Sequence, residues 1–319
     1  MPPISNDILG PAAGVLTSLL WAFTALFFAG AARRIGATQV NALRILIAIC
    51  LHGATSLLLF GSLWPEMTSQ QALFLALSGI LGLAICDQLL FTALVDVGPR
   101  LALLMMTTAP IIALGLGAAF LGEQIGLYAL LGIAMTLGGI VWVVLERPST
   151  PRDEQSHPHF ARGIALALLA SACQAGGMLL SKKGMGHGLG DDVPHIAPQA
   201  ATLVRMVFGF AGMIPILAIY AWRRNGPAHA LNRSRRIGRR QTGYALTLCG
   251  AIVGPFLGVW MCLVALDKTP LLGVAQTLVS LSPVLILPLS VTVLKERVSP
   301  RAVIGAVIAV AGAAVLFIA

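Results

Sequence analysis

Long apolar runs, each about as long as a bilayer-spanning helix, alternate with short polar segments along the chain. Because a helix needs about 20 predominantly apolar residues to cross the hydrocarbon core, runs of this length predict membrane spans. The sequence therefore predicts an all-α integral membrane protein with about ten transmembrane helices. The runs lie at residues 9–30, 39–60, 71–95, 99–121, 125–145, 162–182, 197–221, 243–266, 271–294 and 301–319.

A proline-rich and charged segment, residues 146–160, separates the fifth run from the sixth. Proline and charge together are typical of a solvent-exposed linker. This segment divides the chain into a first unit, residues 9–145, and a second unit, residues 161–319. Each unit contains five predicted spans.

The two units resemble each other at fixed spacings, which indicates an internal duplication. The repeated residues are an arginine early in the second span (Arg44, Arg205), a proline thirteen residues before a glutamate (Pro110 and Glu123, Pro283 and Glu296), and glycines nine and sixteen residues after each glutamate (Gly132 and Gly139, Gly305 and Gly312). Because five is odd, the second unit must enter the membrane in the opposite orientation. Inverted repeats are a transporter architecture, with the site between the units near the midplane.

Composition agrees with lipid as the surrounding solvent. Hydrophobic residues make up 57% of the 319 residues, charged residues make up 10%, and the mean hydropathy is +0.89. An ordinary soluble domain carries about 25% charged residues, so a soluble fold of this length is excluded. The net charge of +9 does not indicate nucleic-acid binding, because the basic residues lie in short loops between the apolar runs.

The basic residues are distributed unequally between the loops. Of the nineteen Lys and Arg outside the spans, sixteen follow odd-numbered spans and three follow even-numbered spans. By the positive-inside rule, the odd-numbered loops are predicted to be cytoplasmic, including the Arg-rich segment 222–241, and both termini are predicted to lie outside. The predicted location is the cell (plasma or inner) membrane, which the chain crosses many times.

Ionisable residues inside spans are the first candidates for function, because such a charge costs roughly 2.5–3.5 kcal/mol at the helix centre on insertion scales. Arg44 and Asp87 lie at matching depths in adjacent antiparallel spans, which predicts an ion pair. The pair is interpreted either as a static structural contact or as a group coupled to protons or substrate. Asp87 is the only carboxylate deep in a span.

Arg205 has no carboxylate at the corresponding position of the eighth span. It is predicted to bind an anionic substrate group, to extend towards the lipid headgroups, or to pair with Asp191 or Asp192 in the preceding loop. His52, in the middle of the second span, is interpreted either as a hydrogen-bonded packing residue or as a proton relay.

Uncharged polar and aromatic residues within or at the edges of spans are further candidates. They either line a central cavity, where they hydrogen-bond or stack on a substrate, or pack between helices. These residues are Gln174, Gln276, Trp21 and Trp260.

Two prolines, Pro110 and Pro283, lie in the middle of spans. A proline lacks an amide hydrogen and frees a carbonyl about one turn earlier, here near Met106 and Val279. Kinks at these positions are interpreted as hinges, as polar cavity wall, or as ordinary features of such helices.

Residues at the ends of spans are interpreted structurally, and Glu123 and Glu296 are predicted to cap or tether helix ends. The polar residues of one loop match no known metal spacing, and the five cysteines lie in apolar runs without CxxC spacing. That loop contains His187, Asp191, Asp192 and His195. No metal site and no cofactor are therefore predicted. Nucleotide-binding and hydrolase motifs are missing, so the chain is not predicted to be an enzyme.

Three segments carry a resemblance to a known family: SLLWAFTALFFAGAARR, TTAPIIALGLGAAFLGEQIGLYALLGIAMTLGGIVWVVLE and LSPVLILPLSVTVLKERVSPRAVIGAVIAVAGAAVLF. With the two five-span units, they resemble the EamA family of the drug/metabolite transporter superfamily over essentially the whole chain. The resemblance implies ten helices, a central cavity between inverted halves, and alternating access for amino acids, other metabolites or drugs without nucleotide hydrolysis. Members often keep both termini in the cytoplasm, which is opposite to the orientation that the charges predict.

The sequence is therefore interpreted as a secondary transporter of a small organic metabolite or drug. Its cavity is expected between the first, third, sixth and eighth spans, with contributions from the second, seventh and ninth. The expected partners are the lipid bilayer, a small-molecule substrate and protons as a candidate coupling ion, with no nucleic acid. Two alternatives stay open. A lipid-handling component or membrane enzyme requires polar residues clustered at one interface depth, and a channel shows flux without saturation.

Overall fold

The computed structural model describes residues 6–146, 159–190, 192–224, 237–285 and 299–317. In these residues the chain is helical and contains no strand. The α-helices are α1 (Asn6–Ile35), α2 (Ala37–Phe60), α3 (Ser69–Gly79), α4 (Cys86–Met106), α5 (Ala109–Leu121), α6 (Leu127–Glu146), α7 (Phe160–Gly184), α8 (Pro198–Arg224), α9 (Ile237–Ala251), α10 (Val259–Lys268), α11 (Leu272–Val279) and α12 (Pro300–Leu316). Two π-helical segments, π1 (Ile80–Ile85) and π2 (Ile252–Gly258), join α3 to α4 and α9 to α10.

Among the described residues, eight helical stretches are long and apolar enough to cross a membrane, and two shorter apolar helices, Leu272–Leu285 and Pro300–Leu316, follow them. They correspond to the ten predicted spans, and residues 286–294 of the ninth lie outside the described residues. Large apolar side chains cover the outer surface; Leu58 and Leu127, for example, are 86% and 68% exposed. Such an exterior suits a lipid environment. The predicted all-α membrane fold, with two inverted five-helix units, is confirmed.

The turn between the third and fourth spans differs from the prediction, because the predicted loop is part of α4. Asp96 of α4 binds Arg162 at the start of α7. The Thr108 hydroxyl, just after α4, lies 2.7 Å from the hydroxyl of Ser171, nine residues further along α7. Because the Cys86 Sγ, at the start of α4, lies 3.3 Å from the Ala170 carbonyl oxygen, the chain runs towards the start of α7 as far as Asp96 and then back along α7 to Thr108. The fourth apolar stretch begins at Leu104 rather than at residue 99.

The first helix of each unit is packed into the other unit. α1 packs against α9, π2, α10 and α11, and α7 packs against α3, π1, α4 and α5. A glycine near the start of α1 and another near the start of α7 permit each helix to approach the other unit closely. A Cβ on Gly10 would lie 2.5 Å from Thr269 Oγ1, and a Cβ on Gly163 would lie 2.7 Å from Asp96 Cβ. The first and eighth spans, and the third and sixth spans, therefore form the interface between the units.

The fifth and tenth spans, α6 and α12, cross at the glycines that repeat in the sequence. A Cβ on Gly139 would lie 2.5 Å from the Gly305 carbonyl oxygen, and a Cβ on Gly312 would lie 2.5 Å from the Thr136 nitrogen. Because these neighbours are backbone atoms, a side chain at either glycine would force the helices apart. Small residues at such crossings are typical of helix packing in membranes.

The fourth and ninth spans are broken ahead of their prolines rather than kinked at them. The fourth span turns at residues 107–108 before α5 begins, and Pro110 lies in the first turn of α5. The ninth span turns at residues 280–281, and a short helical turn that contains Pro283 follows. Proline is tolerated in a first turn because the amide there has no intrahelical partner. The structure therefore places an interruption of the regular helix just ahead of each proline, and the hinge role predicted for Pro110 and Pro283 stays a prediction.

A hydroxyl from the first helix of the other unit holds each break. Ser18 of α1 lies 2.6 and 2.7 Å from the carbonyl oxygens of Leu278 and Val279, and Ser171 of α7 contacts Thr108. The Val279 carbonyl is one of the two that the prolines were predicted to free. Discontinuous helices between inverted units are a feature of transporter sites, and we propose these breaks as the hinges.

Candidate functional site

Arg205 is a buried cation on α8, with 4% of its surface exposed. Its guanidinium lies against π1, because a Cβ on Gly82 would be 3.3 Å from Nη2, and its backbone carbonyl lies against Gly79 of α3. The Arg205 Nε has no hydrogen-bond partner. Within the ranges that the structure describes, no residue accepts a hydrogen bond from this guanidinium or forms an ion pair with it.

An unpaired charge at this depth is unfavourable, because nothing offsets the loss of its hydration. Asp192 is exposed and does not pair with Arg205, so that predicted partner is wrong, and Asp191 lies outside the described residues. The Cys262 thiol of α10 is near enough to interact with the guanidinium. The arrangement suits a carboxylate or phosphate, which accepts two parallel hydrogen bonds from a guanidinium.

Arg44 and Asp87 form the ion pair that the sequence predicts. The Arg44 Nε also donates to Asn41 Oδ1 at 2.8 Å, and its guanidinium carbon lies 5.6 Å from the centre of the Phe28 ring. Only 13% of the Arg44 side chain and 22% of the Asp87 side chain are exposed. Both charges are satisfied within the protein, which favours a static structural pair.

Replacing Asp87 with asparagine is expected to destabilise the protein by about 1.5–3 kcal/mol, the loss typical of a hydrogen bond to a charged group. The reason is that Arg44 would stay in place without its counter-charge. In thermal unfolding in detergent, the double variant Arg44→Gln/Asp87→Asn should recover part of this loss, because neither charge is then stranded. If Asp87→Asn unfolds normally but transport loses its pH dependence, the pair is coupled to protons instead.

The segment π1 connects several predicted site residues. Gly82 lies against Arg205, and Asp87 lies in the first turn of α4, the helix that follows π1. On α7, the Gln174 Oε1 is 3.7 Å from the Cys86 Sγ. The structure thus places Arg205, Asp87 with its partner Arg44, and Gln174 around π1 and the first turn of α4. Segments of π-helix often occur at functional sites.

The segment π2, in the corresponding span of the second unit, gathers three other predicted residues. His52 is buried, with its ring centre 4.8 Å from Phe256 and 6.3 Å from Trp260. Trp21 lies across the end of π2, since a Cβ on Gly258 would be 2.9 Å from its ring. These contacts favour the packing interpretation for His52 and Trp260.

Gln276 belongs neither to the residues around π1 nor to those around π2. It is 3% exposed on α11, which packs against α1 and α5. Its Oε1 has no hydrogen-bond partner. Buried acceptors normally have a donor, so this oxygen has an unused capacity to accept a hydrogen bond, and the substrate-binding role of Gln276 stays a prediction.

Sequence reasoning missed a buried ion pair that joins the two units. The Lys182 Nζ lies 2.7 Å from Glu123 Oε1 and also donates to the carbonyls of Pro270, at 2.5 Å, and Thr269, at 3.2 Å. The side chains of Lys182 and Glu123 are only 5% and 8% exposed. The pair lies on the face formed by the loops after even-numbered spans, residues 61–68, 122–126, 185–197 and 269–271, here called the even-loop face.

Glu123 also has the role at a helix end that the sequence predicts. Its Oε2 accepts a hydrogen bond at 2.8 Å from the amide of Leu272, the first residue of α11. A carboxylate at this position satisfies a free amide and interacts favourably with the helix dipole. Glu296, for which the same role is predicted, lies outside the described residues.

In the part of the chain that the structure describes, ten apolar helical stretches in two inverted units, with interrupted fourth and ninth spans, are typical of the inverted-repeat transporter class. The EamA-like transporter family matches residues 8–145 and 161–318, and the chain belongs to this family. It is therefore a multi-pass membrane transporter of the drug/metabolite superfamily.

Several solved structures are similar to this chain in fold, and one of them is described as the crystal structure of a protein. The TM-score is 0.71, the sequence identity is 19%, and the match covers 96% of this chain and 95% of the other. No curated protein sequence matches. The family thus defines the class of transporter, and the substrate has to be inferred from the site.

Proposed function

We propose that the protein is a secondary transporter that moves a small organic solute with an anionic group by alternating access. The observation that carries this proposal is Arg205, a buried cation whose guanidinium has no counter-charge among the described residues. The paired Arg44 in the first unit provides the contrast, because its charge is neutralised by Asp87. A solute carboxylate or phosphate supplies the charge that Arg205 lacks.

The surroundings of Arg205 support a binding role. Gly82 leaves space beside the guanidinium, and Gly79 allows α3 to pack directly on the α8 backbone. Helices from both units meet here, since α8 and α10 belong to the second unit and π1 belongs to the first. A solute bound at this position contacts both units and responds when they move relative to each other.

Alternating access requires a gate on each face of the membrane, and the even-loop face contains one candidate. Glu123 of the first unit and Lys182 of the second are joined there, and the Gln71 Nε2 donates to the Pro194 carbonyl at 2.6 Å. These contacts must separate before a solute can pass through this face. We therefore propose that the Lys182–Glu123 pair closes the even-loop gate.

A thermal-shift screen of the purified protein tests the proposed substrate class. The compounds are matched pairs that differ by an anionic group: amino acids with their amides, sugar phosphates with the sugars, and organic acids with their esters, with cationic drugs as a separate set. A ligand at 100 times its Kd stabilises a protein by about 2.7 kcal/mol. We expect stabilisation only by anionic members. Stabilisation by cations or by both members of each pair equally contradicts the proposal.

The distribution of charge also supports an orientation in which the Arg-rich segment 222–241 is cytoplasmic. We propose this orientation and expect cysteine labelling to show it, in a background without the exposed Cys50 and Cys249. An impermeant thiol reagent should modify Gln124→Cys, on the even-loop face, in intact cells. It should modify Ser234→Cys only after the membrane is opened. The reverse pattern contradicts this orientation.

A further inference from the structure

Two histidines and a carboxylate meet on the even-loop face. The Nε2 atoms of His187 and His195 lie 2.9 and 2.6 Å from Asp267 Oδ1. Their rings are almost perpendicular, at 89°, and the three potential ligand atoms all lie within 4.8 Å of one another. The sequence grouped these histidines with Asp191 and Asp192, but the acid that they contact comes from the end of α10.

We propose that His187, His195 and Asp267 bind a divalent transition-metal ion of the Zn²⁺ type. Imidazole nitrogen and carboxylate oxygen are the ligands that such ions use together, at about 2.0–2.2 Å. Around a tetrahedral ion these atoms stand about 3.3 Å apart, so both nitrogens have to withdraw from the carboxylate oxygen by roughly half an ångström, and any separation near the 4.8 Å limit has to shorten. The ion takes the place of the two hydrogen bonds between the histidines and the carboxylate.

Exposure of the three side chains suits entry of an ion from solution. The Asp267 side chain is 1% exposed, whereas the side chains of His187 and His195 are 32% and 53% exposed. The carboxylate is thus fixed inside the protein, and the histidines close over it from the solvent side. Water supplies the remaining ligand on the open side, as in sites with three protein ligands.

The loop that carries the histidines is held in shape before any ion binds. Three of its glycines, at 186, 188 and 190, have φ of 111°, 70° and 101°, values that side-chain-bearing residues rarely adopt. The Ile196 amide donates to the Met185 carbonyl at 3.0 Å and closes the base of the loop. Two ligands on a preorganised loop lower the entropy cost of assembling the site.

Lys268 is the group that opposes a cation here. Its Nζ lies 3.0 Å from Asp267 Oδ2, the carboxylate oxygen that does not contact the histidines. The positive charge of Lys268 repels an incoming cation and competes with it for the Asp267 carboxylate. Replacing it with methionine is therefore expected to tighten metal binding several-fold without removing a ligand.

An ion in this site affects transport only if the proposed function is correct. Asp267 is followed closely by Thr269 and Pro270, whose carbonyls hold Lys182. A bound ion ties the histidine loop, whose Pro194 carbonyl accepts a hydrogen bond from Gln71 of the first unit, to this segment, and so stiffens the second-unit side of the even-loop gate. Zn²⁺ is then expected to inhibit transport, and binding can be measured independently of transport.

The test is a titration of the purified protein, without a histidine tag, with Zn²⁺ and separately with Mg²⁺, followed by calorimetry and thermal unfolding. We expect one Zn²⁺ per chain, stabilisation that a chelator reverses, and no effect of Mg²⁺. His195→Ala should weaken binding by at least about tenfold. His159→Ala, an exposed histidine outside the triad, should bind normally.

Three results overturn the metal site. They are no Zn²⁺ binding by the native protein, equal binding by a folded His187→Ala/His195→Ala variant, and an equal response to Mg²⁺. If the double variant does not fold, Lys268→Met decides, because unchanged or weaker Zn²⁺ binding contradicts the site. Zn²⁺ binding without inhibition of flux contradicts only the proposed effect of the ion on the even-loop gate, and the metal site itself is then still supported.

Discussion

Replacing Arg205 with methionine is expected to abolish ligand stabilisation and transport while leaving the protein folded. Loss of one partner from a buried, hydrogen-bonded charge pair costs about 2–5 kcal/mol, which lowers solute affinity by at least about 30-fold. Without ligand, the variant should unfold at the same temperature as the native protein or higher. The reason is that Arg205 has no counter-charge among the described residues, so its removal strands no partner and relieves an unpaired buried charge.

Arg205→Lys is the matched variant, because it keeps the charge but loses the planar pair of donors. Arg205→Lys should retain part of the ligand-induced increase in unfolding temperature, and Arg205→Met should retain none. Thermal unfolding with and without the best ligand of the screen measures both effects. Strong destabilisation of unliganded Arg205→Met would show that the arginine has a structural partner, and a normal ligand shift in that variant would remove Arg205 from the site.

Replacing Glu123 with glutamine is expected to destabilise the protein by about 3–5 kcal/mol, the usual loss when one member of a buried ion pair is removed. Lys182 would then lie buried with only carbonyl partners. Glutamine has a similar shape, and its one carbonyl oxygen can still accept the hydrogen bond from the Leu272 amide, so the change removes the charge and the hydrogen-bond acceptor of Lys182 together. Thermal unfolding of the purified variant measures this loss.

The control is the double variant Glu123→Gln/Lys182→Met, which removes both charges. Because replacing both members of a buried pair is often neutral or stabilising, it should recover most of the loss. If the double variant is as unstable as Glu123→Gln alone, the ion pair does not account for the effect. A single variant with native stability would show that Lys182 is solvated in the membrane.

The parts of the structure that sequence could predict rest on local information. Span positions follow from the length of apolar runs, and the duplication follows from fixed spacings such as Pro110 to Glu123. The Arg44–Asp87 pair was predictable because two adjacent antiparallel spans fix the depths of their residues. The same reasoning identified Arg205 as a candidate, because the eighth span has no carboxylate at the matching depth.

The parts that sequence could not predict depend on contacts between positions far apart in the chain, both between the units and within the second unit. Lys182 meets Glu123 across 59 positions, and His187 meets Asp267 across 80. No local pattern brings these residues together, because the exchange of α1 and α7 between the units decides which loops become neighbours. The segments π1 and π2 were equally hidden, since their sequences are apolar like the helices around them. A proline predicts a disturbed helix, but the tertiary contacts at the disturbance, such as those that the Ser18 hydroxyl donates to the Leu278 and Val279 carbonyls, cannot be predicted from it.

Counterflow in reconstituted vesicles tests the central claim most directly. Vesicles loaded with the unlabelled anionic solute are diluted into labelled solute, and the labelled solute inside is followed with time. For the native protein, the account predicts transient, saturable accumulation that depends on internal solute, because a carrier exchanges one solute for another. Vesicles with Arg205→Met should show none. Flux that does not saturate, accumulation without internal solute, or counterflow that survives in Arg205→Met would contradict the account.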